Sequence, residues 1–276
     1  MSNQRTHHVT TTDGVTIGAT VHGDGPPLVF LQGMLGDGDI DWDRLLGHLT
    51  GGFTCHLPSW RGRGLSGDHP DLSFGRMVDD VLAYVDSIEE PTGLVGWSFG
   101  ANLALVAAAQ SDAMPPVAAI GPVAMGLADE QEQAALGGIV ARTGELAGQG
   151  NLTAAVRAIA GLPFNDDEIA VAEDAGYFEA AGRYVPNLLN LLQQWMEYEG
   201  PTIDDPAVLG AISAPVLVLP ADSSPFHRTS ALHVADHVPN ARLHEIPGAG
   251  HAAPLTHPKA LAEALTEFFA PAQKPA

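Results

Sequence analysis

The feature that most constrains this chain is an alternation of short apolar runs and amphipathic stretches, interrupted once. Residues 7–12 and 15–22 flank Asp13-Gly14, a turn dipeptide between β-branched runs, and predict a hairpin. Residues 27–31 form a continuous apolar run ending before Gly33, as a buried strand would. Trp42, Leu45, Leu46 and Leu49 fall at helical spacing, with Asp41 as the expected N-cap. Strand signals recur at 53–57, 93–96 and 117–120, with helices expected from Ser73 and over 98–110. Strands alternating with helices imply a parallel sheet covered on both faces.

From about Gly126 to Asp204 only helical signals appear, and three of the four tyrosines, Tyr177, Tyr184 and Tyr198, lie there with Phe164 and Trp195. The alternation then resumes, with strands at 215–219 and 241–246 and helices through 233–238 and 255–269. The expected division is therefore a core of residues 1–126 and 205–276, and a helical cap or lid of 127–204. The tail after Phe269 is expected to fray.

Composition limits the partners. Acidic residues number 33 against 12 basic, for a net charge of −21. Such a chain repels phosphate backbones and anionic bilayers, so neither nucleic acid nor membrane is expected as a partner. The charged fraction is only 16%, below the roughly 25% of an average domain, and 45% of residues are hydrophobic, so a folded core is expected. The single cysteine, Cys55, excludes an intrachain disulfide and a cysteine zinc site, and reads as a core residue. Residues 1–12 are polar without the apolar stretch of a secretory signal, which points to the cytoplasm. No metal or organic cofactor is expected, the partner is a small-molecule substrate, and the oligomeric state is open.

Three segments carry chemistry. Gly96-Trp97-Ser98-Phe99-Gly100 fits G-x-S-x-G between an expected strand and an expected helix. A serine on such a turn is thrust out of the sheet, and small flanking residues permit the close approach. The second segment, Gly248-Ala249-Gly250-His251, follows the strand at 241–246. A histidine at the carboxyl end of a parallel strand can reach a nucleophile on a neighbouring strand, with His257 the weaker rival. The third, Gln32-Gly33-Met34-Leu35-Gly36, can present a backbone N–H to an oxyanion. The donors would be the amides of Met34 and Phe99.

On these motifs the chain resembles the α/β-hydrolase superfamily over nearly its whole length, and is most similar to small esterase-like members with a helical cap. The resemblance implies a mostly parallel eight-stranded sheet flanked by helices with an inserted cap. It also implies a serine hydrolase acting on an ester, amide or related carbonyl of a small apolar substrate, with Ser98 as nucleophile and His251 as base. Arg61-Gly62-Arg63-Gly64-Leu65-Ser66 looks like the family's R-G-x-G-x-S loop, and Asp79-Asp80-Val81 follows on the next helix; both are expected to order the loop below the site. Three positions depart from the pattern: Gln32 stands where the oxyanion loop begins His-Gly, Ser59 where an aspartate is common, and Ser224 at the usual acid position. Asp222, two residues early, is ranked first as the triad acid that would orient His251. The position after 117–120 holds Gly121 and Pro122 and offers no carboxylate. Gln32, Gly33, Trp97, Trp195 and Tyr184 are expected around the substrate, and Asp166-Asp167-Glu168 at a solvated helix start.

Two rival readings accompany the hydrolase. Leu57-Pro58-Ser59-Trp60-Arg61-Gly62 resembles a loop of cofactor-independent dioxygenases, which use a histidine base, so a lyase, cyclase or oxygenase on the same fold is the second. A non-catalytic ligand-binding member is the third; the intact serine and histidine count against it.

Overall fold

The computed structural model describes residues 4–111 and 116–270. The expected fraying of the tail falls, from residue 271, outside them. The hairpin strands are β1 (Arg5–Thr10) and β2 (Thr16–His22), followed by β3 (Pro27–Leu31), α1 (Gly38–Leu49), β4 (Thr54–Pro58) and α2 (Phe74–Asp86). Next come β5 (Gly93–Trp97), α3 (Phe99–Ala109) and β6 (Val117–Ile120). A single 3-10 turn, Met125–Leu127, leads into α4 (Glu130–Gly148), α5 (Leu152–Ala160), α6 (Asp166–Asp174), α7 (Tyr177–Gly182), α8 (Val185–Met196) and α9 (Pro206–Gly210). The chain ends with β7 (Val216–Leu219), α10 (Pro225–His237), β8 (Ala241–Leu243), α11 (Ala253–Thr256) and α12 (Pro258–Phe269).

The eight strands form one sheet in the order β1-β2-β4-β3-β5-β6-β7-β8. The β1–β2 and β2–β4 pairs are antiparallel and every later pair is parallel. The continuous apolar runs are explained by burial on both faces. In β3, Leu28 and Phe30 join one core while Val29 and Leu31 join the other. In β7, Leu217 and Leu219 divide from Val216 and Val218 in the same way. The Ala-rich α3 is apolar all round because it is enclosed all round: every residue from Phe99 to Ala108 is buried.

Local chemistry shifts several boundaries. Helix α1 starts earlier than expected, because Asp37 rather than Asp41 caps it, accepting from the Ile40 amide at 2.8 Å. Asp41 is instead fully buried. Pro258, which donates no amide, divides the expected final helix into α11 and α12. The last strand is only three residues long. Among the described residues, no helix is long and apolar enough to cross a membrane.

Beneath the sheet's carboxyl edge, Arg61 is wholly buried and forks onto the Asp80 carboxylate at 2.7 and 2.6 Å, with Asp13 at 2.9 Å. Burial pushes the Asp80 carboxyl up, and the Arg61 guanidinium opposes that shift. This cluster orders the loop, as the R-G-x-G-x-S resemblance implies. Cys55 is fully buried in β4, and burial pushes its thiol up to about 12, as befits a core residue.

Candidate active site

Ser98 stands between β5 and α3 with φ 55° and ψ −115°, and no other non-glycine residue among those described has a positive φ. The turn holds because its neighbours lack side chains. A β-carbon on Gly96 would overlap the Gly100 carbonyl, and one on Gly100 would overlap the carbonyls of Leu31 and Gln32. Ser98 is locked to the sheet by its own amide, which donates to Ile120 at 2.8 Å. The strain positions a hydroxyl that makes no capping bond at the head of α3.

The loop after β3 is pinned at several points. The Gly33 amide donates to Asp41 Oδ2 at 2.7 Å. The Met34 carbonyl accepts from Arg63 Nη1 at 2.7 Å, and the Gly36 carbonyl accepts from the same nitrogen at 2.8 Å. The Gln32 side chain spans the loop, donating to Gly36 O at 2.6 Å and accepting from the Trp60 amide at 3.3 Å. Among the described residues, the Met34 amide is left without an acceptor, as is that of Phe99 at the head of α3. Both residues face one cavity with Ser98 and His251. Buried Asp41 has its carboxyl raised to about 7 by desolvation, against the hydrogen bonds from Tyr177 and Gly33.

His251 is 2% exposed. Its carbonyl accepts from Trp97 Nε1 at 2.7 Å, and its amide donates to Ser223 Oγ at 2.6 Å. Glu168, on α6, accepts from the next amide, Ala252, at 2.5 Å. A β-carbon at Gly250 would lie 2.6 Å from the Glu168 carboxylate and would displace it. Burial raises the Glu168 carboxyl, and the amides of Asn165, Ala252 and His251 together with Ser223 oppose the shift. Desolvation holds the His251 imidazole well below its ordinary value, and neighbouring His227 adds to the effect. The two rings lie 4.6 Å apart, centroid to centroid.

The cavity above these groups has a volume of about 270 Å³. Trp97 stacks on Phe164 at 6.2 Å along one wall, and Trp195 meets Phe99 edge-on at 5.5 Å along another. Of the residues expected around a substrate, Gly33, Trp97 and Trp195 line it.

Two expected pocket residues and the expected acid are elsewhere. Gln32 is fully buried in the loop brace just described, outside the cavity wall. Tyr184 also lies outside it, because its hydroxyl donates to Asp37 Oδ2 at 2.5 Å and accepts from the Gly64 amide, tying the helical insertion to the core. Asp222 does not reach His251. Its side chain is 69% exposed and pairs with Arg228 at 3.2 Å, while its amide donates to Ala249. His251 Nδ1 is buried without a partner. It faces Gly121, where a β-carbon would lie 3.1 Å away. Nor does any hydrogen bond join Ser98 Oγ to His251 among the described residues. His257 lies outside the cavity wall and bonds Thr256. The segment 166–168 opens a helix as expected, but Glu168 is buried rather than solvated.

Sequence reasoning missed Glu168 and His227. The N-cap pattern Asn165-x-x-Glu168 marks a helix start and gives no sign that its glutamate reaches the His251 loop. His227 lies one helical turn after Ser224, at the place where the acid was sought.

These features define a class. A sequence model of the alpha/beta hydrolase family matches residues 21–264, and the chain belongs to that family. A solved alpha/beta hydrolase from Sphaerobacter thermophilus is 28% identical, with 95% of this chain and 100% of that one covered and a TM-score of 0.71. A bromoperoxidase from Bacillus anthracis shares the fold at 19% identity and TM-score 0.75, over 96% and 99% of the two chains. A pyrrolizixenacetamide deacetylase from Xenorhabdus hominickii is 31% identical over 91 residues. The matched stretch spans 32% of this chain and 34% of that relative.

Proposed function

We propose that the protein is a serine hydrolase that cleaves an ester, amide or related carbonyl bond of a small apolar substrate. The observation that carries this reading is the strained Ser98, held at the wall of an apolar cavity together with His251 and two unpaired amides. Ser98 attacks the carbonyl carbon and His251 Nε2 takes the hydroxyl proton. The amides of Met34 and Phe99 stabilise the oxyanion, and the five bonds pinning the 32–36 loop pre-organise the first of them. His251 then returns the proton to the leaving group, and water repeats the cycle on the acyl-enzyme.

In this reading the pair works as a dyad. Asp222 remains with Arg228 at the surface, and the backbone contacts of Trp97, Ser223 and Ala252 orient the His251 loop in place of a ring-bound acid. Residues 127–204 act as the cap that closes the cavity. The deacetylase relative is consistent with acyl transfer. Ser98→Ala is expected to reduce p-nitrophenyl acetate turnover to background; an unchanged rate overturns the proposal.

The unpartnered Nδ1 of His251 favours a second reading, in which a neutral imidazole deprotonates the substrate in non-hydrolytic chemistry. Turnover of a substrate that survives Ser98→Ala and is lost in His251→Ala would select it.

A further inference from the structure

The cavity wall is apolar apart from a few side chains, and most of their polar atoms are already committed. Glu132 accepts from the Asp129 amide at 2.9 Å. Tyr177 donates to Asp41 at 3.0 Å. Ser224 caps α10 by accepting from the His227 amide at 3.3 Å, and its hydroxyl pairs with His227 Nδ1 at 2.7 Å. Among the described side chains of this wall, Ser98 Oγ, the ring nitrogens of His251, His227 Nε2 and Trp195 Nε1 make no hydrogen bond. The chemistry proposed above uses the first two. Of the other two, His227 Nε2 belongs to a residue only 6% exposed, deeper than the half-buried Trp195.

The Ser224 contact also bears on the tautomer. Ser224 Oγ accepts the His227 backbone N–H and keeps a second lone pair, so it can donate its own proton to His227 Nδ1 or accept one from it. With Nδ1 as acceptor, the ring proton sits on Nε2. Desolvation pushes this imidazole down to about 4, so it is a neutral donor at physiological pH. Among the described residues, no lysine or arginine lines the cavity to pair with an anionic ligand.

We propose that His227 is a specificity-determining residue, whose Nε2–H donates to a neutral oxygen acceptor of the substrate distinct from the carbonyl that Ser98 attacks. The substrate class is a neutral, largely apolar molecule with a second ether, ketone, ester or amide oxygen. The His227 ring lies 4.6 Å from that of His251, so this oxygen lies close to the bond that breaks. The proposal rests on the hydrolase reading only in taking this cavity as the substrate chamber.

Two measurements test it. In protein labelled with ¹⁵N-histidine, long-range ¹⁵N–¹H correlation reads the tautomer directly. Protonated Nε2 with bare Nδ1 at His227 is expected, and Ser224→Ala is expected to admit the other tautomer. Protonated Nδ1 in the unsubstituted protein overturns the proposal. In Ser98→Ala protein, 1-indanone is expected to bind more tightly than its hydrocarbon isostere indane. Adding His227→Phe is expected to cut that preference about 3- to 10-fold, the worth of one neutral hydrogen bond. A preference unchanged by His227→Phe, or no binding of either probe, contradicts the proposal. Ester turnover surviving in Ser98→Ala would instead overturn the nucleophile assignment, and leaves both readouts intact.

Discussion

Replacing Ser98 by glycine and by alanine separates the strain of the elbow from its chemistry. The serine sits at φ 55° and ψ −115°, a conformation that glycine adopts freely and a residue with a β-carbon does not. Such a residue stores about 1–3 kcal/mol. Glycine releases this strain but adds about 0.4–1 kcal/mol of unfolded-state entropy. The hydroxyl makes no capping hydrogen bond, so removing it breaks no bond in the folded state. Alanine keeps the β-carbon and therefore the strain. Ser98→Gly is thus expected to be more stable than Ser98→Ala by about 0.5–2 kcal/mol. At about 2–4 °C per kcal/mol for chains near this length, the Tm gap is roughly 1–8 °C. Differential scanning calorimetry on the two variants, both inactive toward p-nitrophenyl acetate, measures it. Equal melting temperatures, or a less stable glycine variant, would refute the claim that the fold holds Ser98 under strain.

Asp222→Ala is expected to keep kcat within about twofold, because its carboxylate belongs to a surface pair with Arg228; loss of a true triad acid costs about 10⁴ in rate. His251 is held below its ordinary value of 6.5, so its basic form persists on acidification. The acid limb of kcat/KM is therefore expected to have its midpoint below pH 6.5, and a midpoint above 6.5 would indicate a carboxylate on the ring. Arg61→Ala leaves Asp80 buried and uncompensated, and urea denaturation is expected to show a loss of about 3–5 kcal/mol. A loss under about 1 kcal/mol would place this cluster with ordinary surface pairs.

The sheet was legible because doubly buried strands must be apolar at every position, and residues 27–31 and 117–120 announce that in one dimension. The Ser98 turn was legible for a similar reason: its two glycines answer to backbone contacts within a few residues or on the next strand. The acid was not legible, since the path of the loop after β7 decides whether residue 222 meets His251 or Arg228. Glu168 reads as a solvated helix start in sequence, and only the packing of α6 against the 250–252 loop buries it. Gln32 and Tyr184 were placed near the substrate by proximity to motif positions, yet each spends its polar atoms on bracing backbone or a cap-to-core tie. Asp41 is a sound N-cap candidate by composition, yet its buried contacts with Gly33 and Tyr177 take it away from the helix start, and Asp37 caps instead.

The central claim is that Ser98 is a nucleophile activated by His251, and covalent capture tests it most directly. A fluorophosphonate should add once to the intact protein, with the adduct mapped to Ser98 by peptide mass spectrometry. Labelling should be absent in Ser98→Ala and strongly slowed in His251→Ala. A wild-type protein that stays unlabelled, or carries the adduct at another residue, contradicts the account.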